Sequence, residues 1–148
     1  MLKNDGVLPL DPSSATHVAL IGEFAEKPRY QGGGSSHVTA LRVHSLRSEL
    51  SDRLQKATID FAQGYCTDPD SDDGRDETLI EEACRTARNA DIAIINVGYL
   101  ECDESEGSDK TSIELREPQR RLLDAVIATG TPTVVVLYGG GVIHFGGW

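Results

Sequence analysis

Four short, largely apolar runs alternate with amphipathic helical segments, and this alternation most constrains the fold. The runs cover residues 17–22, 57–62, 91–98 and 133–138. Continuous apolar runs of this length are typical of strands that are buried on both faces, although the second run is weaker. Between them, apolar residues three to four apart predict helices over three segments: 42–55, from about Asp76 to Ala90, and from Pro118 to just before Gly130. The pattern predicts an α/β fold, a three-layer α/β/α sandwich around a mostly parallel sheet.

Length and charge narrow the class of protein. A chain of 148 residues allows one compact domain. Its 24 acidic and 14 basic residues give a net charge of -10, which argues against an electrostatic interaction with nucleic acid or anionic lipid. No apolar run approaches the roughly 20 residues that span a bilayer. We therefore predict no nucleic-acid and no membrane partner.

The cysteines and the chain end give two further expectations. Cys66, Cys84 and Cys102 form no Cys-x-x-Cys pair, so we expect reduced thiols and a cytoplasmic setting. The last predicted strand is followed by a glycine-rich stretch that stops at Trp148, with no segment to form a covering helix. We expect residues 1–148 to be one domain, truncated at its C-terminal end and taken from a longer protein.

The architecture also predicts where a ligand binds. In open parallel sheets, ligands bind outside the carboxyl ends of the strands, so the informative loops are 23–40, 63–75, 99–117 and the segment from Gly139 onward. The first loop carries three consecutive glycines followed by serines, and the third carries five carboxylates between Glu101 and Asp109. Crowded carboxylates can raise the pKa of one member, which is what a general acid requires. A solvated acidic surface explains the same composition.

Other motifs are incomplete. Gly22 lacks the further glycines of a dinucleotide fingerprint, and no lysine follows the triple glycine as a P-loop requires. Residues 68–74 imitate a calcium loop, but Leu79 stands where the loop needs a glutamate. We therefore predict no cofactor.

The four histidines show no metal-ligand spacing, so we predict no metal site. His17 is expected to begin a strand and His44 to belong to a helix. His37 and His144 lie in loops at the predicted site and remain candidates for ligand contact. Cys102 is expected to be a bystander, because acidic neighbours disfavour its thiolate.

Residues 104–110, with the sequence Glu-Ser-Glu-Gly-Ser-Asp-Lys, resemble the Glu-Gly-x-Asp-Arg motif of glycoside hydrolase family 3, the β-glucosidase family. Further segments resemble the C-terminal domain of that family in the same order along the chain; they are 2–10, 18–25, 30–36, 90–98 and 133–139. The resemblance covers essentially the whole chain and no catalytic barrel.

The resemblance implies a fold, a partner and a reaction. In the family, this α/β domain packs against an N-terminal (β/α) barrel that supplies a nucleophilic aspartate. The implied activity is retaining hydrolysis of terminal non-reducing β-D-glycosides, a β-glucosidase-like reaction on a β-linked sugar. We expect the chain alone to be inactive, because it carries no Ser-Asp-Trp motif for the nucleophile.

The resemblance also implies site residues. Glu106 is expected to be the catalytic acid/base, with Glu104 as the alternative, and the implied substrate-binding residues are Gly33, Gly34, Ser35 and Asp109. Lys110 replaces the usual arginine of the motif and so loses its bidentate geometry. A non-catalytic sugar-binding or scaffold domain of the same family remains the alternative. A stand-alone flavodoxin-like regulator fits less well, because it gives no reason for the long third loop.

Overall fold

The computed structural model describes residues 1–13, 17–68 and 75–146, without the side chain of Ser36. Residues 69–74 of the calcium-like segment and the chain end at Trp148 lie outside the described residues. None of the described helices has the length and hydropathy needed to cross a bilayer.

Parallel strands and helices alternate along the described chain. The strands are β1 (His17–Ile21), β2 (Thr58–Ala62), β3 (Ile92–Gly98) and β4 (Thr133–Tyr138). The α-helices are α1 (Leu46–Arg53), α2 (Asp76–Arg88) and α3 (Glu117–Ile127). The strand order is β2-β1-β3-β4, and all three neighbouring pairs are parallel.

The two faces of the sheet carry separate apolar clusters. Successive side chains of a strand point to opposite faces. On β1, Ala19 and Ile21 therefore face a core with α2 and α3, whereas Val18 and Leu20 face a second core with the side chains of α1. Helices thus cover both faces, and the predicted three-layer α/β/α fold is confirmed.

One predicted helix start is wrong by a few residues. Helix α1 begins at Leu46 and not at 42, because the Ser45 hydroxyl accepts a hydrogen bond from the Ser48 N–H at 3.1 Å and caps the helix. His44 therefore lies outside the helix. Helix α2 begins at Asp76, as predicted, and the Asp76 carboxylate contributes a negative charge to the first turn of that helix. His17 begins β1, as predicted.

The strand order brings two loops together at one edge of the sheet. The connection from β1 to β2 runs one way along the sheet and the connection from β2 to β3 returns past β1, so β1 and β3 are neighbours. The loops that follow them leave the same edge side by side. Gly22 makes this exit possible: its φ is +101°, and a Cβ there would lie 2.1 Å from the Asn96 carbonyl oxygen of β3.

Candidate active site

The loops after β1 and β3 contact each other through their backbones. The Gly33 N–H donates to the Glu104 carbonyl oxygen at 2.9 Å, and Gly33 forms a parallel bridge with Ser105. A Cβ on Gly33 would lie 3.0 Å from the Ser105 hydroxyl oxygen, and one on Gly34 would lie 3.2 Å from Glu106 Cβ. The glycines therefore allow the first loop to approach the third loop closely.

Glu106 lies at this contact and is exposed to solvent. The Ser35 hydroxyl donates a hydrogen bond to its Oε2, and the Ser35 backbone nitrogen lies 3.4 Å from the same oxygen. Three residues that were predicted separately, Gly34, Ser35 and Glu106, are thus adjacent. Substrate binding by Gly33, Gly34 and Ser35 stays a prediction of the family resemblance.

Glu104 has quite different surroundings, although it is only two residues away. Its Oε2 lies 2.6 Å from Nη1 of Arg29, and its Oε1 lies 2.7 Å from Nζ of Lys110. The Gly140 N–H donates to Oε2 at 2.9 Å. Burial by itself would raise the pKa of Glu104, but hydrogen bonds from Lys110, Gly140 and Arg29 outweigh it and lower that pKa to about 2. Glu104 is therefore an ionised acceptor at neutral pH.

Asp103 is a second carboxylate with a cationic partner. Nη2 of Arg116 lies 2.7 Å from its Oδ1, and the Leu100 N–H donates to Oδ2 at 2.8 Å. Burial opposes ionisation, but these donors and the charge of Arg116 lower the pKa of Asp103. Neither Asp103 nor Glu104 is therefore a carboxylate whose pKa crowding raises, because each has acquired a cation.

Asp109 lies beside a neighbouring cleft. This cleft has a volume of about 490 Å³ and is lined by Asp109 together with Tyr99, Lys110 and Arg116, among others. Nζ of Lys110 lies 3.9 Å from the centroid of the Tyr99 ring, a cation–π contact. The lysine at the motif position of the family's arginine therefore contacts both Glu104 and this aromatic ring.

The two loop histidines pair with glutamates. Nε2 of His37 lies 2.7 Å from Oε1 of Glu101, and Nδ1 of His144 lies 2.6 Å from Oε1 of Glu114. Within the described ranges, no group of three or more His, Cys, Asp or Glu side chains is arranged to hold a metal ion. The Cys102 sulfur lies 3.3 Å from Nη2 of an arginine, and the three cysteines are free thiols.

Sequence reasoning missed the cationic and backbone partners of the acidic loop. Arg29 comes shortly before the triple glycine, and Arg116 lies at the end of the third loop, directly before α3. One signal could have indicated them: five carboxylates beside a packed sheet need counter-charges, and lone cations in facing loops are the available source. The Gly140 N–H carries no such signal, because any residue except proline offers one.

Comparison with known proteins places these observations in a family. The family model for the glycosyl hydrolase family 3 C-terminal domain matches residues 1–148. The exo-α-(1→6)-L-arabinopyranosidase of Bifidobacterium longum is 42% identical over 156 residues, covering 100% of this chain and 20% of the relative. The thermostable β-glucosidase B of Acetivibrio thermocellus is 42% identical over 142 residues, covering 95% and 18%.

A solved structure agrees with the sequence relatives. The crystal structure of a glycoside hydrolase family 3 β-glucosidase from Bifidobacterium adolescentis matches with a TM-score of 0.81 and 38% identity, over 95% of this chain and 19% of that one. The chain thus spans about a fifth of the length of the relatives it matches. With a family model over every residue and a matching fold, the chain belongs to the glycoside hydrolase family 3 C-terminal domain family.

Proposed function

We propose that this chain is the C-terminal domain of a longer glycoside hydrolase and that Glu106 is its general acid/base. One observation carries the proposal. The Glu106 carboxylate is exposed at the carboxyl edge of the sheet, where ligands bind in this architecture, and one of its oxygens accepts a hydrogen bond from Ser35. A serine hydroxyl can hold this carboxyl group in place without bringing a formal charge beside it.

The contrast with Glu104 supports Glu106 over the alternative. A general acid must carry a proton at working pH, whereas the pKa of Glu104 is about 2. Both Glu104 oxygens are engaged by cations, Arg29 on one and Lys110 on the other. Among the described residues, Glu106 forms no ion pair. Its side chain is therefore the better candidate for a group that alternates between the protonated and the ionised form.

The proposed reaction is retaining hydrolysis of a terminal non-reducing β-D-glycoside. An aspartate from an N-terminal (β/α) barrel in the same enzyme attacks the anomeric carbon while Glu106 protonates the leaving oxygen. Glu106 then removes a proton from water, and the water oxygen displaces the aspartate. This mechanism requires the two carboxyl groups to lie about 5–5.5 Å apart. A loop at a domain interface is suited to bringing one of them to that distance.

The sugar is a separate question. The relatives are named as an arabinopyranosidase, a β-glucosidase and a β-xylosidase, so the match is compatible with more than one pyranoside. We propose a β-D-glucoside as the first substrate to assay and a β-D-xyloside as the second. The choice between them rests on residues outside this chain, because the barrel forms the other side of the proposed site.

The test is leaving-group dependence in the full-length enzyme. We expect Glu106→Gln to slow hydrolysis of alkyl glycosides, which have poor leaving groups, by about 100- to 10,000-fold. Aryl glycosides with an activated leaving group should lose far less, and azide should restore part of the lost rate. Glu101→Gln is the matched control. It removes a carboxylate from the same loop, and the Glu101 side chain pairs with His37.

Two outcomes would contradict the proposal. Equal losses on both substrate types without azide rescue would indicate a non-catalytic sugar-binding or scaffold domain. Glycosidase turnover by the purified 148-residue chain would refute the need for a barrel nucleophile.

A further inference from the structure

We infer that Glu104 is a positioning residue that fixes the loop bearing Glu106, through a cluster that we call the Glu104 clamp. The clamp consists of the Glu104 carboxylate, Arg29, Lys110 and the Gly140 N–H. This inference rests on the proposed role of Glu106 as acid/base. It assigns to Glu104 a function other than proton transfer.

The clamp joins loops from three strands at one carboxylate. Arg29 lies in the loop after β1, and Glu104 and Lys110 lie in the loop after β3. Gly140 is the second residue after the end of β4. The backbone of Glu104 makes a further link, because its carbonyl oxygen accepts from the Gly33 N–H at 2.9 Å. One residue therefore links the carboxyl ends of three of the four described strands.

Burial makes these contacts stronger than a surface ion pair. The Arg29 and Glu104 side chains are 10% and 12% exposed, so solvent screens their attraction little. Nε of Arg29 is buried and has no hydrogen-bond partner among the described residues, whereas its Nη1 lies 2.6 Å from the Glu104 carboxylate. Removal of one member of a buried pair leaves the other charge uncompensated, which is costly. The loop is thus held where the carboxylate meets its cations.

The clamp is coupled to Glu106 through the backbone. Glu104 and Glu106 are two residues apart, so their Cα atoms lie within about 7 Å of each other. The loop after β1 and the loop after β3 are joined at two successive points, by the hydrogen bond from Gly33 to Glu104 and by the hydrogen bond from Ser35 to Glu106. A displacement of Glu104 would therefore shift Glu106 relative to the sugar. Misplacement of a catalytic group by about 1 Å can cost roughly 100-fold in rate.

A double-mutant cycle in the full-length enzyme tests the inference. We expect Glu104→Gln to lower kcat on an alkyl glycoside by about 10- to 100-fold, with KM changed less than kcat, and to lower kcat on an activated aryl glycoside less. In a Glu106→Gln background, the same substitution should lower the rate less than threefold, because a positioning residue acts through the residue it positions. The Glu101→Gln control should keep the wild-type rate.

Lys110 variants keep the test informative if Glu104→Gln folds poorly. Lys110→Met removes one cation of the clamp and should reproduce part of the loss, whereas Lys110→Arg keeps the charge and should retain most of the activity. Full multiplicative losses in the double mutant, or wild-type rates for both Glu104→Gln and Lys110→Met, would overturn the clamp. Leaving-group dependence with azide rescue in Glu104→Gln but not in Glu106→Gln would overturn both the clamp and the assignment of Glu106. If Glu106→Gln shows no leaving-group dependence, the proposed function is refuted. A rate loss shared by Glu104→Gln and Lys110→Met would then reflect only the structural role of the clamp.

Discussion

We expect the acid stability of the chain to depend on Glu104, and the contacts of Glu104 give both the sign and the approximate size of the effect. Hydrogen bonds and cations lower the pKa of Glu104 from its ordinary value of 4.5 to about 2 in the folded state, despite the opposing effect of burial. In the unfolded chain, the same carboxyl group titrates near 4.5. A depressed folded-state pKa stabilises the protein above the unfolded value, and the stabilisation is lost as the pH falls through that window.

The magnitude follows from the two values. A change from 4.5 to about 2, at about 1.4 kcal/mol for each pH unit, corresponds to about 3 kcal/mol of unfolding free energy. The integrated titration places about 2 kcal/mol of the loss above pH 3 and nearly all of it above pH 2. Little should change between pH 6 and 7, because Glu104 is then ionised in both states.

The measurement is urea unfolding of the chain, followed by circular dichroism from pH 2 to pH 7, for the wild type and for Glu104→Gln. The difference in unfolding free energy should be constant above about pH 6 and should shrink by about 3 kcal/mol by pH 2. Asp103 also has a lowered pKa, but it is present in both proteins and so cancels in the difference. Glu101→Gln, which leaves the clamp intact, is the matched control and should follow the wild type.

A difference between wild type and Glu104→Gln that stays the same from pH 6 to pH 3 would refute this reasoning. It would mean that Glu104 is not held as an ionised acceptor, and that Arg29 and Lys110 make weaker contacts with it than their distances indicate.

Two further predictions concern the glycine at the end of β1 and the hydroxyl beside the proposed acid/base. Gly22→Ala should lower the unfolding free energy by more than 3 kcal/mol, because its Cβ would lie 2.1 Å from the Asn96 carbonyl oxygen. Gly130 has a similar φ of +79° but open space around it, so Gly130→Ala should lower the unfolding free energy by only about 1 kcal/mol. Thermal unfolding of the two variants and the wild type measures both effects. Equal losses would contradict the steric argument. Ser35→Ala should lower kcat of the full-length enzyme on alkyl glycosides by about 10-fold, with a smaller effect on activated aryl glycosides, because Glu106 loses the hydrogen bond that holds it. An unchanged kcat on alkyl glycosides would contradict this prediction.

Strand–helix alternation was sufficient to predict the fold. Each of the four predicted runs forms a strand in the described chain, and β3 is buried throughout, as a continuous apolar run suggests. Helix starts were less accurate, because they depend on local capping. The four-residue spacing of Leu46, Leu50 and Leu54, continued one step back, reaches residue 42. The Ser45 hydroxyl nevertheless caps the helix and fixes Leu46 as its first residue.

Buried polar contacts across the sheet could not be predicted. Asn96 lies within the apolar run of β3 and is fully buried. Its Nδ2 donates to the Ile21 carbonyl oxygen at 3.1 Å, and the Tyr138 hydroxyl donates to its Oδ1 at 3.2 Å. These partners are 75 and 42 positions away in sequence. Local patterns contain no information on such pairing, because it depends on strand order and register.

The sequence predicted which loops leave the sheet at the candidate site, and the structure shows that the two glutamates of the acidic loop have different surroundings. Sequence reasoning placed Glu104 and Glu106 in one acidic loop, and the family resemblance favoured Glu106 as the acid/base with Glu104 as the alternative. Their surroundings differ because the side chain of Glu104 meets Arg29 and Lys110, and that of Glu106 meets a serine. Long-range contacts made by loop residues decide this difference, and no spacing rule describes them.

The difference between the two glutamates has a physical reason. A residue that both donates and accepts a proton must be stable in both forms, so it cannot have a cation at ion-pair distance that favours only the ionised form. A residue that holds a loop has the opposite requirement, because permanent ionisation maximises its attraction to buried cations. Glu104 meets the second requirement, with two cations and a pKa of about 2. The geometry of the Glu106 contact, with a neutral hydroxyl as its partner, suits the first. An acidic loop can therefore combine both tasks when its cations pair with one glutamate and leave the other to neutral donors.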